Sequence, residues 1–204
     1  MRKNLRILTF IFMSMSLLSC GQEKMYIDED KLETINIYNI GDELVFQNVE
    51  TKAIDTSKIT SKEIYHEDYD LLRHDGYQPH YAQIKYDNKK LWYGNESFMS
   101  AGKKKPNESY IGVTYLYSTF YLNPLSDTDK EYFHIDKHDL NTKHKITLTL
   151  VDKTFNQVVI LSKHKHPKHK PKDDFKPQKL YWDKKYGIIK YETYGGDVWE
   201  RINW

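Results

Sequence analysis

Nine histidines, one cysteine and 29 acidic side chains are the groups in this 204-residue chain with chemistry to offer, and their spacing decides which chemistry. Three of the histidines fall in Ser162–Pro177, SKHKHPKHKPKDDFKP. In an extended segment residues i and i+2 point the same way. His164 and His166 can therefore share a metal ion, with His169 or Asp173 completing its shell. Six lysines in the same stretch repel a cation, and three prolines exclude a central strand or an unbroken helix. The tract, +4 with neutral histidines, reads first as a solvated loop over 163–177, secondly as a surface drawn to anionic lipid, and thirdly as a metal site. A second group, His66, Glu67 and Asp68 followed by His74 and Asp75, would make a hydrolase site if the fold gathered it. It lacks the zinc-protease spacing, and a polar loop explains it equally well. His134 and His138 have a helical ligand spacing without the accompanying glutamate. There is no G-x-S-x-G elbow, phosphate loop or dinucleotide fingerprint. Sequence separation does not give the spacing that a paired-carboxylate site needs. No catalytic residue is assigned, nothing calls for a cofactor, and the chain is read as a non-enzyme.

The lone cysteine explains itself by position. Arg2, Lys3 and Arg6 form a basic head, and LRILTFIFMSMSLL then runs almost without polarity from Leu5 to Leu18. That run is too short for a bilayer core, which takes roughly 20 apolar residues, and fits the apolar part of a secretory signal. It ends in Leu17-Leu18-Ser19-Cys20, which resembles the lipobox of bacterial lipoproteins. The resemblance implies cleavage after residue 19, diacylation of the Cys20 sulfur (palmitate-type chains) and acylation of the new amino terminus. Such anchoring is firm, at about 0.8 kcal/mol per buried CH2. With no second cysteine a disulfide within the chain is impossible, and no motif nearby makes Cys20 a nucleophile.

Loss of residues 1–19 takes the 31 basic side chains to 28 against 29 acidic ones, a net charge of −1. The basicity of the whole chain therefore belongs to targeting and is no footprint of nucleic acid. The remaining 185 residues suit one domain. Their 17 tyrosines and 4 tryptophans favour β-structure in which rings pack and hydroxyls stay wet.

The segments that would position any site read mostly as strands. GQEKMYIDEDKLE is polar and aperiodic, so 20–33 is expected to be a flexible tether. TINIYNI and ELVFQNV flank a Gly41-Asp42 turn. HYAQIKYD alternates, with Tyr81, Gln83 and Lys85 opposite Ala82, Ile84 and Tyr86. SYIGVTYLYSTFYL, residues 109–122, predicts one long central strand. KITLTLV, QVVILS, KLYWD, GIIKYE and VWERI follow, the last two joined by a turn at 194–197. Only 126–140 hints weakly at a helix. The expectation for 34–204 is a single mainly β domain, an antiparallel and strongly curved sheet or half-barrel, with a closed barrel or sandwich as the alternative.

Two stretches, IGDELVFQNVETKAIDTSKIT (40–60) and KLYWDKKYGIIKYETYGGDVWERI (179–202), together with the lipobox, resemble uncharacterised small envelope lipoproteins of the Bacteroidetes. The resemblance covers about a third of the chain and implies a lipid anchor in the cell envelope, at the outer membrane, on its periplasmic or surface face. It carries over no active-site residue. Its motifs are structural: Gly187 for a tight strand entry, Gly195 and Gly196 for the turn, Trp199 for the core. The expected role is binding or assembly. Candidate ligand contacts are Trp92, Tyr115, Tyr117 and Trp182 on the inside of the curved sheet, facing an apolar, glycan or protein partner, with core packing as the competing job for each.

Overall fold

A computed structural model of the chain describes residues 22–68, 76–92, 94–106, 108–123, 145–162 and 173–204. Alternation is the rule that builds it. Strand β2 (Glu43–Asn48) turns Leu44, Phe46 and Asn48 inward, and β5 (His80–Asn88) does the same with His80, Ala82, Ile84, Tyr86 and Asn88. That is the period-2 pattern of a sheet with one buried face.

Two antiparallel meanders make one sheet. The first holds β2, β3 (Ile54–His66), β5, β6 (Glu96–Lys105), β7 (Glu108–Tyr115) and β8 (Ser118–Asn123). The second holds β9 (Ile146–Leu150), β10 (Lys153–Ser162), β11 (Pro177–Asp183), β12 (Gly187–Thr193) and β13 (Val198–Arg201). The C-terminal strand joins them: Trp199 pairs with Asn48 and Arg201 with Phe46. The result is eleven strands in the order β8-β7-β6-β5-β3-β2-β13-β12-β11-β10-β9. Irregularities near Ile59, Ile84 and Phe155 bend the strands, and the sheet curls until β8 lies against β10. It does not close, so the expected curved open sheet is the fold and the closed barrel is not. The inside is filled by Phe46, Tyr86, Phe98, Tyr115, Tyr191 and their neighbours. A smaller cluster of Leu150, Phe155, Val158, Tyr181 and Ile189 lies under β9–β12.

Two expectations are corrected. Residues 22–33 are no tether. Strand β1 (Glu23–Lys24) pairs in parallel with β4 (Tyr77–Gln78), Met25 and Ile27 are buried, and helix α1 (Glu29–Asn36) follows. Its first turn is acidic, as the helix dipole favours, and Ile35 is its buried anchor. Lys103 of β6 holds the arm through Asp28 at 2.7 Å, and hydrogen bonds from Lys103 and then Lys31 keep the Asp28 carboxyl below the usual carboxylate range. An eight-residue helix is too short to show a helical period. Secondly, the run 109–122 is not one strand. It breaks at Leu116 and Tyr117, with φ of 46° and 63°, into β7, a two-residue turn and the edge strand β8.

Candidate functional site

The densest polar cluster is buried inside the sheet and centred on Asp55 of β3, which is 4 % exposed. Asp55 Oδ2 accepts from Tyr191 Oη at 2.7 Å and from Tyr115 Oη at 3.2 Å, while Oδ1 accepts from Asn88 Nδ2 at 2.9 Å. Asn88 Nδ2 also donates to Ser57 Oγ at 2.7 Å. Lys90 Nζ lies 3.6 Å from the carboxylate and 4.0 Å from the centre of the Trp199 ring. Burial, above all, pushes the Tyr115 and Tyr191 phenols far above their ordinary range, and the Asp55 charge adds to it. Every partner is satisfied, so this network holds β3, β5, β7 and β12 in register. The inward rhythm of Asp55, Ser57 and Ile59 was its only trace in the sequence.

The four candidate ligand contacts do not form a site on the inside. Tyr115 and Trp182 are core side chains. Trp182 packs against Tyr38, with ring centroids 6.3 Å apart. Trp92 is 88 % exposed at the β5–β6 connection, where its backbone N–H donates to Tyr117 Oη. Tyr117 sits half-buried beside Phe175, 6.4 Å between centroids. Those two meet at the rim, and the concave face is occupied by the protein itself. Cys20, His164, His166 and His169, like His74, Asp75, His134 and His138, lie outside the described residues. Of the proposed hydrolase group, His66 bonds the Met25 carbonyl at 2.8 Å. Glu67 is engaged by the side chains of Gln78 and Tyr81. Among the described residues no group of three His, Cys, Asp or Glu side chains could hold a metal.

The outer face offers what the inner one lacks. A groove of about 260 Å³ crosses β3, β5, β6 and β7, lined by Tyr65, Tyr81, Gln83, Ser97, Ser100 and Tyr110. Register puts Tyr65, Tyr81, Gly102 and Tyr110 in one row, and Gln83 beside Ser100 in the next. Gly102 makes the notch. A Cβ there would stand 2.5 Å from the Tyr110 ring and 2.8 Å from the Tyr81 ring, so both rings lie down over the bare backbone. Tyr65 meets Tyr81 at 5.8 Å and remains 45 % exposed. The groove thus combines aromatic faces with neutral amide and hydroxyl groups. At its edge the Glu67 carboxylate accepts from Tyr81 Oη at 3.5 Å, and Glu63 and Lys85 face each other at 3.9 Å. The alternation of HYAQIKYD put Tyr81 and Gln83 on one face, but the row they form exists only through long-range pairing.

No protein-family model, curated protein or solved structure matches this chain.

Proposed function

We propose that the chain is an acylated lipoprotein of the bacterial cell envelope, anchored through Cys20, whose β domain is a non-catalytic binding module for a saccharide. The observation that carries the ligand class is the outer groove. Tyrosine rings supply rigid apolar faces at low entropic cost, and glutamine and serine supply adaptable hydrogen bonds. A ligand matched to that surface is neutral, hydroxyl-rich and apolar on its ring faces, which describes a sugar better than a lipid chain or an ionic peptide. The volume is below the ~300–1,000 Å³ of sites that engulf a drug-sized ligand, which suits a short saccharide segment lying along the surface. The signal segment and the lipobox-like Leu17-Leu18-Ser19-Cys20 support the address.

Saturation-transfer NMR against fragments of peptidoglycan and of outer-membrane polysaccharide tests the ligand. Transfer to sugar ring protons is expected, and it disappears in Tyr65→Ser, a change at a side chain already half in solvent. Transfer that survives Tyr65→Ser and Gln83→Ala together removes the groove from the reading. Mass spectrometry of the protein taken from membranes tests the anchor: residue 20 is expected as the acylated first residue.

A further inference from the structure

At one end of the sheet three chain segments converge. The β9–β10 turn carries Val151 and Asp152, residues 184–186 join β11 to β12, and the chain runs out past β13 to Trp204. There Phe155, Tyr186 and Trp204 form an aromatic group. Centroids are 5.5 Å apart for Phe155 and Tyr186, 4.7 Å for Phe155 and Trp204, and 6.0 Å for Tyr186 and Trp204. Cations surround it. Lys153 Nζ lies 3.7 Å from the Tyr186 ring centre and 4.9 Å from that of Trp204, with Lys185 5.2 Å from Tyr186 and Arg201 5.6 Å from Trp204. Val151 and Trp204 nevertheless stay 70 % and 39 % exposed. Of the acidic groups nearby, Asp152 is in the β9–β10 turn, Asp183 is buried and accepts the backbone N–H groups of Lys185 and Tyr186 at 2.8 and 3.1 Å, and Glu33 is paired with Lys184 at 2.9 Å.

The N-terminal arm occupies this same end. Glu33 of α1 reaches Lys184, and Ile188 N–H donates to Tyr38 Oη at 3.2 Å at the start of β12. Strand β1 begins at Glu23, three residues after Cys20. At ~3.3–3.6 Å per residue, that leaves about 10 Å of reach. An acyl chain on Cys20 therefore holds the β1–β4 pair close to the headgroups, and the arm runs from there to Lys184 and Ile188.

We propose that the end face formed by Val151, Lys153, Lys185, Tyr186, Arg201 and Trp204 is the bilayer-facing surface of the domain and docks onto anionic lipid headgroups. Lys153 and Lys185 meet the phosphates, Tyr186 and Trp204 occupy the interfacial layer where such rings partition, and Val151 leads. The proposal rests on the lipoprotein reading.

Hydrogen–deuterium exchange tests it on protein purified from membranes and placed on vesicles, either phosphatidylethanolamine with phosphatidylglycerol or phosphatidylcholine alone. Amides of 150–154, 184–187 and 201–204 are expected to exchange several-fold more slowly on the anionic vesicles. Raising salt to ~0.5 M, where screening is short-ranged, erases the difference. Lys153→Gln with Lys185→Gln loses the protection while the acyl anchor remains. Equal exchange on both vesicle types, or protection confined to other loops, overturns the proposal. If Cys20 carries no acyl group, the anchor reading falls by itself. The end face is then judged by sedimentation of the unacylated protein with phosphatidylglycerol vesicles: co-sedimentation supports it, and its absence overturns it.

Discussion

Tyr86 Oη accepts the backbone N–H of Leu116 at 2.7 Å, and the same hydroxyl donates to Glu96 Oε2 at 3.2 Å. Glu96 Oε2 in turn accepts the N–H of Tyr117 at 3.2 Å. One phenol and one carboxylate thus hold a two-residue turn whose residues both have positive φ without being Gly, Asn or Asp. Such conformations cost roughly 1–3 kcal/mol each and persist only where the surroundings over-determine them. Tyr86→Phe leaves a buried N–H without an acceptor. It is expected to lower stability by about 1–3 kcal/mol, read from the midpoint of urea unfolding. A change within experimental error would mean that the turn is set by the strands alone.

That turn also marks where reading the chain stopped. Most strands, the alternation of β5 and the C-terminal meander were legible because each depends on neighbours two residues apart; TINIYNI, read as a strand, instead ends α1 and enters the turn after it. The Gly196 turn was legible because φ of 95° asks for glycine. The Leu116–Tyr117 turn was not, because its support comes from Tyr86 and Glu96, 30 and 21 residues away. Helix α1 was hidden for the same reason, being held by Asp28, Lys103 and Ile35 rather than by its own period. Tyr65, Tyr81 and Tyr110 each stood out as aromatic, yet only the β3–β5–β6–β7 register sets them side by side.

Gly187 is a position with no room for a side chain. Its φ is 71°, and an added Cβ would lie 1.6 Å from Tyr38 Oη. Tyr38 is itself buried and links the N-terminal arm to β11 and β12. Gly187→Ala is expected to cost at least about 2 kcal/mol, combining left-handed strain with displacement of a core aromatic. Thermal unfolding checks it. Gly187→Ala with Tyr38→Phe recovers part of the loss if the hydroxyl is the obstacle.

Asp55 acts as the shared acceptor of the interior, so its removal and its neutralisation should differ. Asp55→Ala strands two phenols and the Lys90 charge, with an expected cost of about 3–5 kcal/mol. Asp55→Asn keeps an acceptor and should cost less. Tyr191→Phe, which removes one donor alone, is expected near 1 kcal/mol. Equal losses for the Ala and Asn variants would show that size, and not hydrogen bonding, is what matters there.

Alkaline pH should expose the same core. Burial first raises the Tyr38, Tyr86, Tyr115 and Tyr191 phenols well above 10. An acid whose folded pKa is raised contributes stability that is full below its unfolded pKa, near 10, and is lost as pH climbs beyond it. Absorbance at 295 nm is expected to rise in two steps. The later step is cooperative, comes from these buried phenols and coincides with loss of near-UV circular dichroism. A single smooth titration with the fold retained contradicts the assignment.

Acid should act on the N-terminal arm through a pair of histidines. Ile27 N–H donates to His80 Nδ1 at 3.0 Å, so the His80 proton resides on Nε2. His66 stacks on that ring at 4.4 Å and 12° while bonding the Met25 carbonyl, and the Tyr26 ring closes the cluster edge-on at 5.0 and 5.7 Å. Lys103, on β6, is the cross-strand neighbour of His80. Burial, and then the proximity of His66, lower the His80 pKa from 6.5. A base with a lowered folded pKa contributes stability that is complete above its unfolded value and is lost as pH falls through the folded one. Protonation puts a hydrogen on Nδ1 against the Ile27 N–H and a charge against His66 and Lys103. The amides of 25–27 are therefore expected to lose exchange protection as pH falls below the ordinary histidine range, with the sheet core unchanged. His80→Asn, whose amide oxygen can take the place of Nδ1, should flatten that dependence. An identical acid midpoint in wild type and His80→Asn would show that another group releases the arm.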